Sequence, residues 1–419
     1  MPSVTLRATK FDETMTNAHI SYFKNNLLIY KSPYSDTKHR ESPPSGSYDI
    51  GLIFSCITLL LLGLVMLASA SINLAQTQFG IPLYFFWRQL VYVGIGCILT
   101  FIVFWIPMPV WQRLSGPLLL GGLGLLILVL MPGIGREVNG SMRWMNLGIM
   151  NLQPSEPMKL FTLLYMAAYL TRRGEEVREA LSGFLKAILV VCLITGLLLL
   201  EPDYGAVVVL FATVLGMLFL AGVPIGQFLL WVIIVTLALG ILLVWAPYRL
   251  ERLIAFLDPW ADPFNSGFQL TQALIAIGRG ELFGVGLGNS IQKLAYLPET
   301  HTDFLFAILA EELGLVGVIV VIGLFAFIVL RAFLIAIQAE RHGLHYAAYL
   351  AYGIGLIIGL QASINLGVNM GLLPTKGLTL PLMSYGGSSM IVTIIMLALL
   401  LRIDYETRLK IGNPEKKGF

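Results

Sequence analysis

Charge is scarce in this sequence. Asp, Glu, Lys and Arg make up 12% of its 419 residues, against roughly 25% in an ordinary soluble domain. Hydrophobic residues make up 57%, and the mean hydropathy is +0.81. No soluble core absorbs that much apolar surface, but a bilayer does. Cysteine is rarer still. Cys56, Cys97 and Cys192 each lie inside an apolar stretch, which argues against a disulfide framework or a thiolate metal site and for small packing residues. There is no block of one charge sign. The net charge of +3 is small and scattered, which argues against a nucleic-acid partner. No cleavable signal peptide stands out: the chain opens on a polar stretch, and its first apolar segment, from about Gly51, is long enough to span.

What is there is a succession of long apolar runs. Residues 1–47 are polar, end in KSPYSDTKHRESPPSGS and read as a mostly disordered cytoplasmic tail. Membrane-spanning helices are expected at 50–71, 84–105, 116–132, 156–171, 183–200, 204–221, 226–246, 303–333, 346–369 and 382–402. The run across 183–221 is interrupted only by EPDYG. One helix of that length overshoots a bilayer, so the run reads as two spans joined by a tight turn. The fold class is therefore an all-α polytopic integral membrane protein with about ten spans. Residues 48–410 form the transmembrane domain, with one long outer loop at 247–302, and 411–419 form a short cytoplasmic tail.

Orientation follows from the basic residues. With ten spans and the N-terminus inside, 18 of the 27 Lys and Arg residues fall on the inner side, eight on the outer side, and Arg88 at a span edge. That bias places both termini in the cytoplasm. The outer eight are Arg136, Arg143, Lys159, Arg249, Arg252, Arg279, Lys293 and Lys376. All the unusual motifs fall in these outward segments.

LPETHTDF, residues 297–304, opens the eighth span. Asp303 would sit at a helix N-terminus near the membrane surface, as an N-cap or as a functional carboxylate. Glu299 adds a second carboxylate, and His301, between them, has no second histidine close in sequence. Glu311 lies eight residues further on, roughly 12 Å deeper and near the same face, while Glu312 turns away. Carboxylates at that depth face a cavity or a partner; Lys159 is a candidate partner for Glu311. GSMRWMNLGIMNLQPSEPMKL, residues 140–160, offers Arg143, Trp144, Glu156 and Lys159. Trp144 reads as an interfacial anchor, and Lys159 either snorkels outward or meets an anionic headgroup. GRGELFGVGLGNS, residues 278–290, resembles a dinucleotide fingerprint only in its glycines. No strand precedes it, so it reads as turns. GLLPTKGLTLPLMSYGGSS, residues 371–389, puts irregular backbone and hydroxyls at membrane depth, where they must be buried in protein or line a wet cavity.

In order, EPDYG, LDPWADPFNSGFQLTQALIAIGRGELFGVGLGNS, LPETHTDFLFAILAEELG and LPLMSYGGSS resemble the SEDS family (shape, elongation, division and sporulation). The resemblance covers nearly the whole chain after residue 47. PTKGLTLPL favours the Gram-negative division branch over the elongation branch. The resemblance implies a peptidoglycan glycosyltransferase that polymerises lipid II on the outer face of the bacterial inner membrane. It implies that Asp303 is the essential carboxylate, and that the partner is a class B penicillin-binding protein among other division proteins. A lipid-pyrophosphate leaving group departs as a stable anion and needs positive charge; the acceptor hydroxyl needs a base. Asp303 is thus expected as general base or as ligand of a divalent cation such as Mg or Mn. Glu299, Glu156 and Glu311 are supporting carboxylates, and Arg143, Lys159 and Lys376 candidate pyrophosphate contacts. The rival readings are a lipid II flippase and a non-catalytic division scaffold.

Overall fold

The computed structural model describes residues 48–138, 141–146, 148, 151–244, 254–294, 297–375 and 377–412. The tail at 1–47, Arg249, Arg252 and Lys376 lie outside them. Ser45–Phe419 forms one compact unit.

Among the described residues, ten long helices stand where the ten apolar runs were expected: α1 Ile50–Phe79, α2 Tyr84–Trp105, α3 Met108–Leu130, α4 Ser155–Glu179, α5 Leu181–Leu200, α6 Tyr204–Leu220, α7 Ile225–Val244, α9 Leu305–Arg341, α10 His345–Asn369 and α11 Gly387–Gly412. Seven of them, α1, α2, α3, α5, α9, α10 and α11, are long and apolar enough to cross a membrane. The molecule is a multi-pass membrane protein. Its lipid-facing surface shows in side chains such as Phe101 and Trp105 on α2, 71% and 82% exposed. The most apolar stretches of α10 and α11 are 72% and 83% buried, against 28% for those of α2, α3 and α9. Thus α10 and α11 form the centre of the bundle, and α2, α3 and α9 present broad faces to lipid.

Local chemistry sets the helix ends. Asp49 caps α1, accepting from the Leu52 amide at 3.0 Å, and also pairs with Arg331 of α9. α1 runs well past the expected residue 71, to Gly80 in the left-handed region at φ 68°. Pro157 lies inside α4. It sits in that helix's first turn, where the missing amide has no intrahelical acceptor. The EPDYG turn is as expected: α5 ends at Leu200, and Asp203 caps α6 by accepting from the Ala206 amide at 3.2 Å. α11 begins at Gly387, five residues later than expected, because Ser384 closes a turn, its hydroxyl accepting from the Leu380 amide at 2.9 Å.

Three features were not expected. A three-stranded antiparallel sheet, β1 Gly135–Val138, β2 Ser141–Asn146 and β3 Asn151–Leu152, fills the connection between α3 and α4. A 12-residue amphipathic helix, α8 Phe268–Arg279, stands in the long loop. And α9 is broken at Gly314, with φ 65° and ψ −164°, a backbone region open to glycine.

The break explains the glycine-rich motif. Loop residues Val285 and Gly286 donate to the carbonyls of Glu311 and Glu312, at 3.0 and 3.1 Å, just before the break. Leu315 and Val316, just after it, donate to Glu281 and Leu282 at 3.0 and 3.1 Å. Backbone groups released by the break are thereby satisfied by the loop. The approach is close: a Cβ on Gly280 would stand 1.9 Å from the Ala310 carbonyl oxygen, and one on Gly284 2.1 Å from that of Glu312. GRGELFGVGLGNS is a set of turns, as expected, and the turns are moulded onto a helix break.

Candidate functional site

The Asp303 loop is fixed by its own turn and by α10. Glu299 takes a left-handed conformation, φ 56°. Its carbonyl accepts from the amides of Thr302 and Phe304, both at 3.2 Å, and its exposed carboxylate accepts from the Thr302 hydroxyl at 2.8 Å. Glu299 thus shapes the turn. α9 is preceded by Phe304, which makes no side-chain cap. The Asn369 carbonyl oxygen Oδ1, on α10, instead accepts from the Ala307 amide at 3.2 Å. The Asp303 carbonyl accepts from Asn365 Nδ2 and Asn369 Nδ2, both at 3.0 Å. With its backbone held from two sides, Asp303 is fixed in a partly buried position just before α9.

The same stripe on α10 holds the segment after Lys376. Asn365 Nδ2 also donates to the Leu378 carbonyl at 2.6 Å, and Gln361 Nε2 to that of Thr379 at 3.0 Å. A Cβ on Gly377 would stand 3.2 Å from Asp303 Oδ2, so glycine there lets this backbone run beside the carboxylate. Gln361, Asn365 and Asn369 therefore join the two most unusual motifs in the chain. The sequence reading missed them. Their signal is an amide every fourth residue along an otherwise apolar helix, which places all three on one face.

The remaining sequence candidates are held in pairs. Lys159 is 1% exposed; its Nζ lies 2.9 Å from Glu156 Oε2 and 2.9 Å from Gln361 Oε1. Its charge is committed inside the bundle, and it does not pair with Glu311. Glu311, 0% exposed, accepts from Arg279 Nη1 at 2.7 Å, the Ser290 hydroxyl at 2.5 Å and the Ile291 amide at 3.1 Å. Glu312, expected to turn away, is as deeply buried and accepts from Lys293 Nζ at 2.9 Å and the Ser69 hydroxyl at 2.7 Å. Both carboxylates anchor the glycine-rich loop to α9 and α1. Arg143 donates from Nε to the Glu201 carbonyl at 3.0 Å and from Nη2 to that of Pro202 at 2.6 Å, which ties β2 to the EPDYG turn.

That turn holds two dissimilar carboxylates. Asp203 accepts from the Ser155 hydroxyl at 2.9 Å and Gln153 Nε2 at 3.1 Å. The Glu201 side chain is fully buried and neither of its oxygens has a hydrogen-bond partner. Burial, then Asp203, push its pKa up to about 8, with Arg143 opposing. His301 lies between Phe85 and Tyr385, ring centroids 4.6 and 5.7 Å away, and burial lowers its pKa against the pull of Glu299. It is a packed ring beside the site.

Among the described residues no three His, Cys, Asp or Glu side chains gather to bind an ion, and Glu299, Glu311 and Glu156 are engaged elsewhere. The arrangement offers one clamped carboxylate at the mouth of a bundle, beside irregular backbone rich in hydroxyls. That equipment suits removal of a proton from an acceptor at a lipid–water boundary.

A bundle of long apolar membrane helices with this order of motifs has known relatives. The chain belongs to the family described as Cell cycle protein (FTSW_RODA_SPOVE), whose profile matches residues 51–409. The probable peptidoglycan glycosyltransferase FtsW of Nitrosococcus halophilus is 58% identical over 360 residues, covering 86% of this chain and 93% of the relative. Its counterpart in Coxiella burnetii is 53% identical over 368 residues, 88% and 99% of the two chains. Among solved structures, a chain from a peptidoglycan synthase complex that coordinates polymerization and crosslinking is 34% identical, with a TM-score of 0.72 over 86% of this chain and 98% of that one. The rod shape determining protein RodA of Thermus thermophilus is 31% identical, with a TM-score of 0.64 over 85% and 97%.

Proposed function

We propose that this peptidoglycan glycosyltransferase polymerises lipid II into glycan strands at the division septum, on the periplasmic face of the inner membrane, with Asp303 as the general base. The observation that carries the reading is the Asp303 clamp: two asparagines of α10 hold its backbone carbonyl and fix the partly buried residue beside the 377–389 segment. The activity class rests on the FtsW relatives. The division assignment rests on those relatives and on PTKGLTLPL. Asp303 takes the proton of the acceptor sugar hydroxyl as that oxygen attacks the anomeric carbon of the donor. The lipid pyrophosphate leaves with the bonding electrons, and side-chain cations offset its charge. No acid is needed for that leaving group, unlike the two carboxyl groups of glycoside hydrolysis.

A class B penicillin-binding protein is the proposed partner, in keeping with the synthase complex that supplies the structural relative; other division membrane proteins would join it. The flippase reading is weaker, because the carboxylates deep in α9 are spent on anchoring a loop. A pure scaffold leaves the clamped Asp303 without a task. The deciding experiment is reconstitution of the purified chain, alone and with its transpeptidase, into vesicles loaded with lipid II, with glycan products and lipid translocation read in parallel. Glycan chains are expected. Translocation without polymer would replace this reading with the flippase.

A further inference from the structure

The outer cations differ in how far their charge is already spent. Lys159, Arg279 and Lys293 are each ion-paired with a buried carboxylate, and Arg143 is turned onto two backbone carbonyls. Arg88, in the second turn of α2, is different. Among the described residues its partners are two phenols and no carboxylate: Nη1 donates to Tyr84 Oη at 3.1 Å and Nη2 to Tyr92 Oη at 2.9 Å. The guanidinium carbon lies 5.6 and 5.9 Å from the two ring centroids, and the side chain is partly exposed. An arginine oriented by neutral groups keeps its full charge.

Its position is set by its neighbours on α2. Phe85, one turn before, stacks against His301, two residues from Asp303. Gln89 donates to the Ser384 carbonyl at 3.1 Å and accepts from the Gly386 amide at 3.3 Å. Tyr92, one turn after, packs on Gly387, where a Cβ would stand 3.0 Å from its ring. Residues 85, 88, 89 and 92 share a helical face, and that face docks on the two segments bordering Asp303. A phenol oxygen that accepts from Arg88 still has its own O–H to donate. The cluster thus offers guanidinium N–H groups and phenol O–H groups together, a donor set suited to phosphate oxygens.

We propose that Arg88, oriented by Tyr84 and Tyr92, forms a phosphate-binding subsite at the rim of the Asp303 mouth and receives the pyrophosphate of the lipid-linked substrate. The proposal rests on the glycosyltransferase reading and adds a residue to it. Ordinary phospholipid headgroups carry the same phosphate chemistry, so the test separates the two sources. The full-length protein, with its transpeptidase, is reconstituted into phosphatidylcholine vesicles and, separately, into vesicles containing phosphatidylglycerol. Initial polymerisation rates against lipid II concentration, and inhibition by undecaprenyl pyrophosphate, are measured for wild type, Arg88→Gln, Arg88→Lys and Tyr84→Phe.

In phosphatidylcholine, Arg88→Gln is expected to raise the half-saturating lipid II concentration and weaken inhibition about tenfold, the scale of one charge-assisted contact. Turnover at saturation should fall as well, because the same charge offsets the departing pyrophosphate. Arg88→Lys and Tyr84→Phe, which preserve packing, should fall between wild type and Arg88→Gln. Unchanged affinity and inhibition in all three variants overturn the subsite while leaving polymerisation intact. A defect confined to phosphatidylglycerol vesicles also overturns it, and makes Arg88 a general lipid anchor. If wild type binds undecaprenyl pyrophosphate in an Arg88-dependent way but forms no glycan, the subsite stands and the glycosyltransferase reading fails.

Discussion

Asp303 and Glu201 both lie outside the apolar helices, in unlike surroundings. Asp303 is partly exposed and has its backbone clamped. Glu201 is sealed with no hydrogen bond to its carboxyl oxygens, so its pKa rises from 4.5 to about 8. Between those two values the native state holds a proton that the unfolded chain has released, so stability falls as pH rises through that window. Below pH 4.5 both states are protonated and the penalty is absent. Glu201→Gln keeps the shape without the ionisation. Its unfolding free energy should therefore exceed that of wild type at pH 8 by an amount on the order of a few kcal/mol, with a higher thermal midpoint, and the two proteins should converge near pH 5. Midpoints measured across pH 5–8 in detergent check this; parallel profiles for the two proteins would show that Glu201 is already ionised in the fold. The EPDYG motif was legible as a turn, because an apolar run of that length cannot span once. The state of Glu201 was not, since it depends on strand β2 and α4 closing over it.

At the scale of elements, what escaped the sequence was short or broken. Strands of four, six and two residues carry too little periodicity to stand out beside long apolar helices. The break in α9 was invisible because a glycine inside an apolar run is ordinary. Its partner loop lies some thirty residues upstream, and Arg279 meets Glu311 across 32 residues of sequence. Helical spacing gave the depth and face of Glu311 but could not name its partner, so Lys159 stood as a candidate. Gly314 is the hinge of this arrangement. A Cβ there would lie 2.3 Å from the Gly284 amide nitrogen and 2.6 Å from the Leu282 carbonyl oxygen, on a backbone at φ 65°. Gly314→Ala should therefore push the loop off α9 and strand Glu311 and Glu312 without their cations. Unpairing one such buried charge costs about 3–5 kcal/mol. The expected outcome is a large drop in folded yield and early proteolysis between residues 280 and 294; wild-type yield and protection would contradict it.

For the whole molecule, the order and place of the ten long helices were legible, because a bilayer demands long apolar runs and the connections are polar. The division of labour among them was not. That α10 and α11 are central while α2, α3 and α9 face lipid depends on which sides pack, and most positions of all five are apolar. The orientation drawn from the basic residues has a direct check. In a background with Cys56, Cys97 and Cys192 replaced, cysteines at exposed Ser266 and Glu175 should react with a membrane-impermeant maleimide from opposite sides. Labelling of both from one side would refute the ten-span arrangement.

The amide stripe on α10 gives the central claim its structural basis: Asn365 and Asn369 hold Asp303 through its backbone, so the carboxylate itself can change without loss of the fold. The most direct measurement is single-turnover polymerisation of purified lipid II by wild type and Asp303→Asn, each complexed with the transpeptidase and matched for thermal midpoint. The account predicts equal membrane levels, equal complex formation and a rate reduced at least about a hundredfold, the lower end of what a general base contributes. Polymerisation by Asp303→Asn near the wild-type rate would contradict it.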